Sequence, residues 1–190
     1  MMRKLILAVS AAVSLVQLSG CVPLAATGVG VGVLMADDRR TAGTYIVDEE
    51  IEIKAGNRLH DALGEKAHVN VTSYNRRVLL TGEAADAALR DKAEGVVKEA
   101  PNVREVLNEV IVGGATGFLA RSNDAFVTAK VKTRLLDDRR FNAHHIKVVT
   151  EAGTVFLMGL VKRQEGAAAA EVAAHTSGVS RVVKVFEYQD

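Results

Sequence analysis

Residues 68–82 read HVNVTSYNRRVLLTG, and residues 145–159 read HIKVVTEAGTVFLMG. The two stretches align at a constant offset of 77 residues, and the segments on either side agree at an offset of 76. These flanking matches pair Asp48, Ile51, Lys54, Arg58 and Leu59 with Asp124, Val127, Lys130, Arg134 and Leu135. A match of this extent at nearly fixed spacing indicates one fold unit that the chain uses twice.

Each unit has the pattern helix, strand, strand, helix, strand. In the first unit, Ile51, Ala55 and Leu59 recur at helical spacing after Asp48, which we interpret as the cap of that helix. Two strands with alternating apolar residues then flank a turn at Asn75, and a second helix and a last strand follow. The second unit repeats the order with elements at 124–138, 146–150, 154–159, 162–177 and 179–188. The sequence therefore predicts an α+β fold with two tandem domains, each αββαβ with two helices packed on a three-stranded mixed sheet.

Gly82 and Gly159 each close the second strand of their unit, immediately before a helix. A residue without a Cβ permits a bend or a close approach of two backbones at such a place. We interpret both as structural glycines. The alternative is a functional role for this matched pair.

The first 21 residues have the layout of a bacterial lipoprotein signal. A short basic start precedes the apolar run 5–18, and the run ends at Leu18-Ser19-Gly20-Cys21, which resembles a lipobox. The run is shorter than the roughly 20 residues that a membrane span needs. Cys21 is the only cysteine, so it has no partner for an internal disulfide, and we predict that it carries the lipid. The alternative is an ordinary signal peptide followed by an unrelated buried cysteine.

The chain divides into a signal, a tether and two domains. We assign the signal peptide to 1–20, the lipid-anchored flexible tether to 21–45, the first domain to 46–113, a linker to 114–121 and the second domain to 122–190. Val22, rather than Asp, follows the cysteine, which in lipoproteins resembles the signal for export to the outer membrane. The tether contains alternating glycines at 28–32, but it lacks the preceding strand and the following helix of a dinucleotide site.

The pattern of αββαβ units with a glycine at the end of the second strand, behind a lipobox, resembles the BON domain family. The resemblance extends from the lipobox to the last strand. It implies an outer-membrane lipoprotein whose second domain binds phospholipid through its first helix. Where that helix carries a Trp in such lipoproteins, this chain has Phe126. Phe keeps the apolar bulk but lacks the indole N–H that favours the headgroup layer, so we expect lower affinity.

The helical wheel of this helix supports the same interpretation independently. At about 100° per residue, Val127, Val131 and Leu135 share the face that we assign to the core. The opposite face is apolar and edged by cations, with Ala125, Phe126, Ala129, Thr133 and Leu136 between Lys130 and Lys132. Such a strip suits shallow insertion into an anionic interface, and we predict lipid contact by all of these residues except Ala125. The alternative is that Phe126 and Leu136 pack against the other domain.

The same wheel for the first unit gives a different outer face, which carries Glu49, Glu50, Ile53, Asn57 and His60. Anionic lipid would repel these carboxylates. The two units have therefore diverged where lipid binding is predicted, and we expect the first domain to be structural or protein-binding.

Several classes of function find no support in the sequence. No metal-ligand spacing joins the histidines, which are His60, His68, His144, His145 and His175. No nucleophile motif or phosphate loop is present, and the formal net charge of +1 argues against a nucleic-acid partner. We therefore predict no enzyme, no cofactor and no metal.

Two hypotheses for the function remain. The first is a non-enzymatic outer-membrane lipoprotein that faces the periplasm, binds an anionic phospholipid membrane and supports envelope integrity. The alternative is a periplasmic adaptor that binds protein partners, such as outer-membrane assembly or division-site proteins.

Overall fold

The computed structural model of the chain describes residues 38–114 and 117–189. The predicted signal peptide, Cys21 and most of the predicted tether lie outside the described residues. Domain 1 contains α1 (Ala42–Leu63), β1 (Ala67–Tyr74), β2 (Arg77–Ala84), α2 (Ala87–Lys98), β3 (Glu105–Asn108) and β4 (Ile111–Val112). Domain 2 contains α3 (Phe118–Asp137), β5 (Ile146–Glu151), β6 (Thr154–Val161), α4 (Arg163–Ala174) and β7 (Arg181–Tyr188). Short 3-10 turns at Gly64–Lys66 and Ala143–His145 precede β1 and β5.

Both sheets are mixed, as the sequence predicts. The central strand of each domain pairs antiparallel with the strand before it and parallel with the strand that follows the second helix. In domain 2 this gives three strands in the order β5-β6-β7. In domain 1 the last strand is interrupted after Asn108, so that β3 and β4 pair separately with β2 and the sheet has four strands. The predicted α+β class is confirmed.

The first helix of each domain packs on its sheet through the face that the sequence predicts. The buried helical residues are Ile51, Ala55 and Leu59 in α1 and Val127, Val131 and Leu135 in α3, all between 0% and 3% exposed. They meet alternate residues of the central strands, such as Val78 and Leu80 in domain 1. Burial of each large aliphatic side chain stabilises the fold by about 1.5–3 kcal/mol.

The interpretation of Asp48 as a helix cap is wrong. Helix α1 begins at Ala42, and its N-cap is Thr41, whose side chain accepts a hydrogen bond from the backbone N–H of Thr44. Asp48 is buried inside the helix, and its carboxylate accepts hydrogen bonds from the backbone N–H groups of Asn75 (2.8 Å) and Arg76 (2.7 Å). It therefore holds the β1–β2 turn against α1.

Asp124 does the same in domain 2. It is 5% exposed and accepts hydrogen bonds from the backbone N–H groups of Ala152 and Gly153, both at 2.9 Å, in the β5–β6 turn. Helix α3 begins at Phe118, so the residues from 118 onward in the expected linker are helical. In both domains the paired aspartate therefore joins the first helix to the hairpin that follows it.

Gly82 and Gly159 do not close their strands as predicted, because β2 and β6 each continue for two more residues. Both glycines lie in close contact with the chain segment at the start of the preceding strand. A Cβ on Gly82 would stand 2.0 Å from the carbonyl oxygen of His68, and Gly82 also has a φ of 112°. A Cβ on Gly159 would stand 2.4 Å from the carbonyl oxygen of His145. No side chain fits at these distances, because real Cβ atoms essentially never come within 3.0 Å of such an atom. The geometry supplies a structural reason for glycine at both positions.

The two domains pack through the sheet faces that point away from their helices. The apolar side chains buried between the sheets are Tyr74, Leu79, Phe156, Met158 and Val185. At the edge of this contact, the amide of Asn70 donates to Glu151 (3.1 Å), and the guanidinium of Arg77 donates to the carbonyl oxygen of Phe186 (3.1 Å). Each sheet is therefore covered on both faces, and the described residues belong to one compact unit.

Residues 38–40, immediately before α1, contact both domains. Arg39 forms a bidentate ion pair with Glu165 at the start of α4, with N–O distances of 2.6 and 2.8 Å. Arg40 forms an ion pair with Asp48 of domain 1 at 2.7 Å. The chain therefore enters the folded unit at the contact between the domains.

Candidate functional site

The outer face of α3 is an exposed apolar strip. Phe126 is 60% exposed and Leu136 is 61% exposed, so the alternative in which they pack against domain 1 is wrong. Leu119, which is 84% exposed, extends the same face by two turns. Leu119 was not predicted from the sequence, because the predicted helix begins at Asp124 whereas α3 begins at Phe118. We call Leu119, Ala125, Phe126, Ala129, Thr133 and Leu136 the α3 strip.

Polar groups within the α3 strip are already satisfied. The hydroxyl of Thr133 donates to the carbonyl oxygen of Ala129 at 3.0 Å, one helical turn earlier. Because this hydroxyl has a partner within the helix, transfer of the exposed Thr133 side chain out of water leaves no hydroxyl donor unpaired. The strip therefore has few polar groups that must remain in water.

Lys130 borders the strip on the side of α4. Its ammonium group lies 4.5 Å from the ring centroid of Phe126, a cation–π geometry, and donates to the carbonyl oxygen of Ser177 at 3.2 Å. These contacts hold a positive charge directly beside the exposed ring of Phe126. A phosphate group next to Phe126 would therefore meet a cation that is already in place.

Lys132 is exposed and borders the strip on the side of β5. It stands at the mouth of a cavity of about 240 Å³ between the C-terminal half of α3 and β5. The predicted cations therefore lie on opposite sides of the strip. All six residues predicted to contact lipid belong to one continuous helix face. Five of them are exposed, and Lys130 is partly buried.

The equivalent face of α1 differs in charge. It also exposes two apolar residues, Ile46 at 61% and Ile53 at 64%. Glu49 is exposed beside them, and the half-exposed Glu50 forms an ion pair with Lys54. Over its whole length α1 carries two Lys or Arg and five Asp or Glu, whereas α3 carries four and two. Anionic lipid would be attracted to α3 and repelled by α1.

Both repeat units match one known protein family. Residues 48–114 and 123–190 each match the family described as BON domain. The chain belongs to the BON domain family. Its two BON domains are the two sequence repeats, and the resemblance inferred from the sequence is confirmed.

This BON protein aligns with several curated relatives over most of the length of both chains. Outer membrane lipoprotein DolP of Haemophilus influenzae is 40% identical over 175 residues, which are 91% of this chain and 91% of the relative. The 21 kDa hemolysin of Actinobacillus pleuropneumoniae is 39% identical over 153 residues, 80% of this chain and 79% of the relative. Osmotically-inducible protein Y of Escherichia coli is 28% identical over 148 residues, 74% and 72% of the two chains.

The described part of this BON protein contains neither a cluster of metal ligands nor a membrane-spanning helix. Within residues 38–114 and 117–189, no group of three or more His, Cys, Asp or Glu side chains is arranged to hold a metal ion. In the same part of the chain, no helix combines the length and the hydropathy that crossing a bilayer requires.

Proposed function

We propose that this BON protein is an outer-membrane lipoprotein without enzymatic activity, anchored through Cys21 and facing the periplasm. The lipobox-like sequence before Cys21 supports the anchor. The relative from Haemophilus influenzae, which is named an outer membrane lipoprotein and matches 91% of this chain, supports the location. In this position the folded unit works beside a membrane surface and contributes to envelope integrity.

The α3 strip binds anionic phospholipid. The observation that carries this proposal is Phe126, an aromatic side chain 60% exposed in an apolar strip with Lys130 and Lys132 at its edges. Insertion of the Phe126 ring into the interface would contribute about 1.5–3 kcal/mol. Each lysine near the anionic surface would contribute about 1 kcal/mol. The lipid anchor keeps the chain at the membrane, so a contact of this modest strength is sufficient to orient domain 2 on it.

Vesicle sedimentation with residues 38–190, which form one compact unit, tests this proposal. Phe126→Glu should weaken binding to vesicles of phosphatidylglycerol and phosphatidylcholine by at least about tenfold, from the lost burial of the ring alone. Ile53→Glu is the matched control, because it places the same carboxylate at an equally exposed apolar position on α1. It should leave vesicle binding unchanged.

Two results would contradict the lipid role of α3. One is unchanged vesicle binding by a folded Phe126→Glu variant, with folding checked by circular dichroism. The other is equal weakening by Ile53→Glu, which would mean that any added carboxylate has the same effect. Binding should also fall with rising salt, because the lysines act through a screened interaction.

A second candidate function, the adaptor, rests on Ile46 and Ile53 of α1. These exposed apolar side chains stand among acidic residues, which suits a protein partner with apolar and basic groups better than anionic lipid. Outer-membrane assembly or division-site proteins are the partners to examine. Photo-crosslinking from position 53 in cells should then capture a defined protein, and a matched probe at position 126 should capture lipid instead.

A further inference from the structure

The cavity beside the α3 strip is an open groove that is lined in part by core residues of domain 2. Its floor is formed by buried Leu135, Ile146 and Val148, and its walls include Ala143 and Leu136. The volume of about 240 Å³ exceeds that of the roughly 150 Å³ apolar cavities that accept benzene. The site therefore has room for a segment of hydrocarbon chain.

The mouth of this cavity carries cationic and hydrogen-bonding groups. Lys132 and His144 are both exposed at the cavity, one on α3 and the other in the 3-10 turn before β5. An ammonium group and an imidazole N–H both donate hydrogen bonds to phosphate oxygens. Leu136 and Lys132 also belong to the membrane-facing side of α3, so the mouth opens at the edge of the α3 strip.

Domain 1 has a groove at the equivalent position, and it lacks these features. It measures about 110 Å³ and lies between the C-terminal half of α1 and the start of β1. Gly56 stands where α3 has Lys132, and His60 stands where α3 has Leu136. Ala67 stands where domain 2 has His144. The enlarged groove with a lysine at its mouth is therefore a property of domain 2, not of the shared scaffold.

We propose that this cavity binds one anionic phospholipid molecule, with a segment of one acyl chain on Leu135, Ile146 and Val148 and the phosphate at Lys132 and His144. This inference rests on the proposed function and deepens it. The α3 strip contacts many lipids of a membrane surface, whereas the cavity binds one lipid molecule per chain. The occupant is a membrane lipid rather than free phosphate, since most of the lining is apolar.

The place where the chain enters the folded unit supports this occupant. Tyr74 donates from its hydroxyl to the carbonyl oxygen of His145, and the guanidinium of Arg40 lies 4.0 Å from the Tyr74 ring centroid. Residues 38–40 are therefore near the 3-10 turn whose other residues, Ala143 and His144, line the cavity. The segment that carries the proposed lipid anchor at Cys21 therefore joins the folded unit near the cavity.

The test uses a lipid that cannot form a bilayer. Residues 38–190 are titrated with dihexanoylphosphatidylglycerol below its critical micelle concentration, and the methyl resonances of Ile146 and Val148 are followed by NMR. We expect saturable shifts that fit one lipid per chain, and weaker binding of dihexanoylphosphatidylcholine. Ala143→Trp, which fills the cavity, should abolish these shifts.

Paired charge reversals separate this site from general attraction to the membrane. Lys132→Glu should weaken capture of the single lipid by about thirtyfold, since an attractive charge becomes a repulsive one. Lys130→Glu makes the same change in net charge on the opposite side of the strip and should leave this capture within about twofold, while it weakens vesicle binding. Both lysines are on the helix surface, so these variants test the site even if Ala143→Trp does not fold.

The outcomes distinguish this inference from the proposed function. Shifts that fail to saturate below the critical micelle concentration, or that survive Lys132→Glu, would overturn the single-lipid site and leave vesicle binding by Phe126 intact. Loss of vesicle binding with Phe126→Glu, together with unchanged capture of the soluble lipid, would support both. Saturable capture without any vesicle binding by the wild-type chain would overturn the proposed function and keep the site.

Discussion

Helices α1 and α3 have the same inner face and opposite outer faces. Inside, Asp48 and Asp124 each bind the turn of the following hairpin. Arg58 and Arg134 each donate to a backbone carbonyl just after the second helix of their domain. Outside, α1 is acidic and α3 is basic and apolar. The difference shows that the two copies share one scaffold and have diverged in the charge of one exposed helix face.

The largest losses in the free energy of unfolding should come from substitutions at Gly82 and Gly159, the matched glycines of the two domains. In Gly82→Ala the new methyl meets the His68 carbonyl and the backbone has a positive φ, so the free energy of unfolding should fall by more than about 4 kcal/mol. In Gly159→Ala only the clash with the His145 carbonyl applies, and a loss of about 3 kcal/mol is expected. Urea unfolding followed by circular dichroism measures both. A loss below about 1 kcal/mol at either glycine would refute the close approach of the strands.

The two turn-binding aspartates should differ in cost. Asp48→Ala leaves two backbone N–H groups without an acceptor and removes one of the two carboxylates that pair with the buried Arg40, the other being Asp38, so we expect a loss of about 3–5 kcal/mol. Asp124→Ala leaves two N–H groups without an acceptor but breaks no ion pair, and a loss of about 1–3 kcal/mol is expected. If Asp124→Ala costs as much as Asp48→Ala by urea unfolding, the contribution of Arg40 is disproved.

The inner faces of α1 and α3 could be predicted because they depend on local spacing. Val127, Val131 and Leu135 recur every four residues, and this regularity alone assigns them to one face. The role of Asp48 could not be predicted in the same way. Its partners are the N–H groups of the β1–β2 turn, and an aspartate before an apolar run is also the usual signature of a helix cap.

The packing of the two domains has a signal in the sequence of the central strands. The central strands contain unbroken apolar runs, Val78-Leu79-Leu80 and Val155-Phe156-Leu157-Met158. Unbroken runs are typical of strands covered on both faces, whereas alternation is typical of strands with one face in solvent. The apolar runs do not indicate which element covers the second face of each sheet. In the structure, the sheet of the other domain covers it. Separated domains would expose Leu79, Phe156 and Met158, so tests of lipid binding need the intact pair.

The contrast between the outer faces can be tested by transfer. Glu49 and Glu50 of α1 occupy the positions of Ala125 and Phe126 in α3, and Lys54 already occupies the position of Lys130. The double change Glu49→Ala and Glu50→Phe, made in a Phe126→Glu background, should restore part of the vesicle binding. Removal of two repulsive charges contributes about 1 kcal/mol each, and the new ring about 1.5–3 kcal/mol when inserted.

Vesicle sedimentation measures this transfer, with Glu49→Ala and Glu50→Ala in the same background as the control. The control removes the repulsion without adding a ring and should restore less binding. No difference between the two double variants would mean that charge alone distinguishes α1 from α3. Such a result would remove the aromatic ring from the account of lipid binding.

The smallest effect concerns residues 38–40, which precede α1 and whose two arginines are replaced by Ala115 and Thr116 at the matching sequence positions. The hydrogen bond from Arg39 is the main cause that lowers the pKa of Glu165 to about 2. Because this pKa lies below the ordinary value of 4.5, the ion pair contributes stability above about pH 4.5 and loses it as the pH falls toward 2. The pair is near the surface, so its contribution at neutral pH should be about 0.5–1 kcal/mol.

Glu165→Gln tests this ion pair, since an amide oxygen can still accept the hydrogen bond that the Glu165 carboxylate receives from the backbone N–H of Lys162. Urea unfolding of the variant and the wild-type chain should differ at pH 7, and the difference should shrink below about pH 4.5 as the wild-type carboxylate protonates. Glu171→Gln is the control on the same helix, because Glu171 pairs with Arg140 in solvent, away from the contact between the domains. It should change the free energy of unfolding by less than about 0.5 kcal/mol. A gap between wild type and Glu165→Gln that stays constant down to pH 2 would show that residues 38–40 do not stabilise the domain contact through this charge.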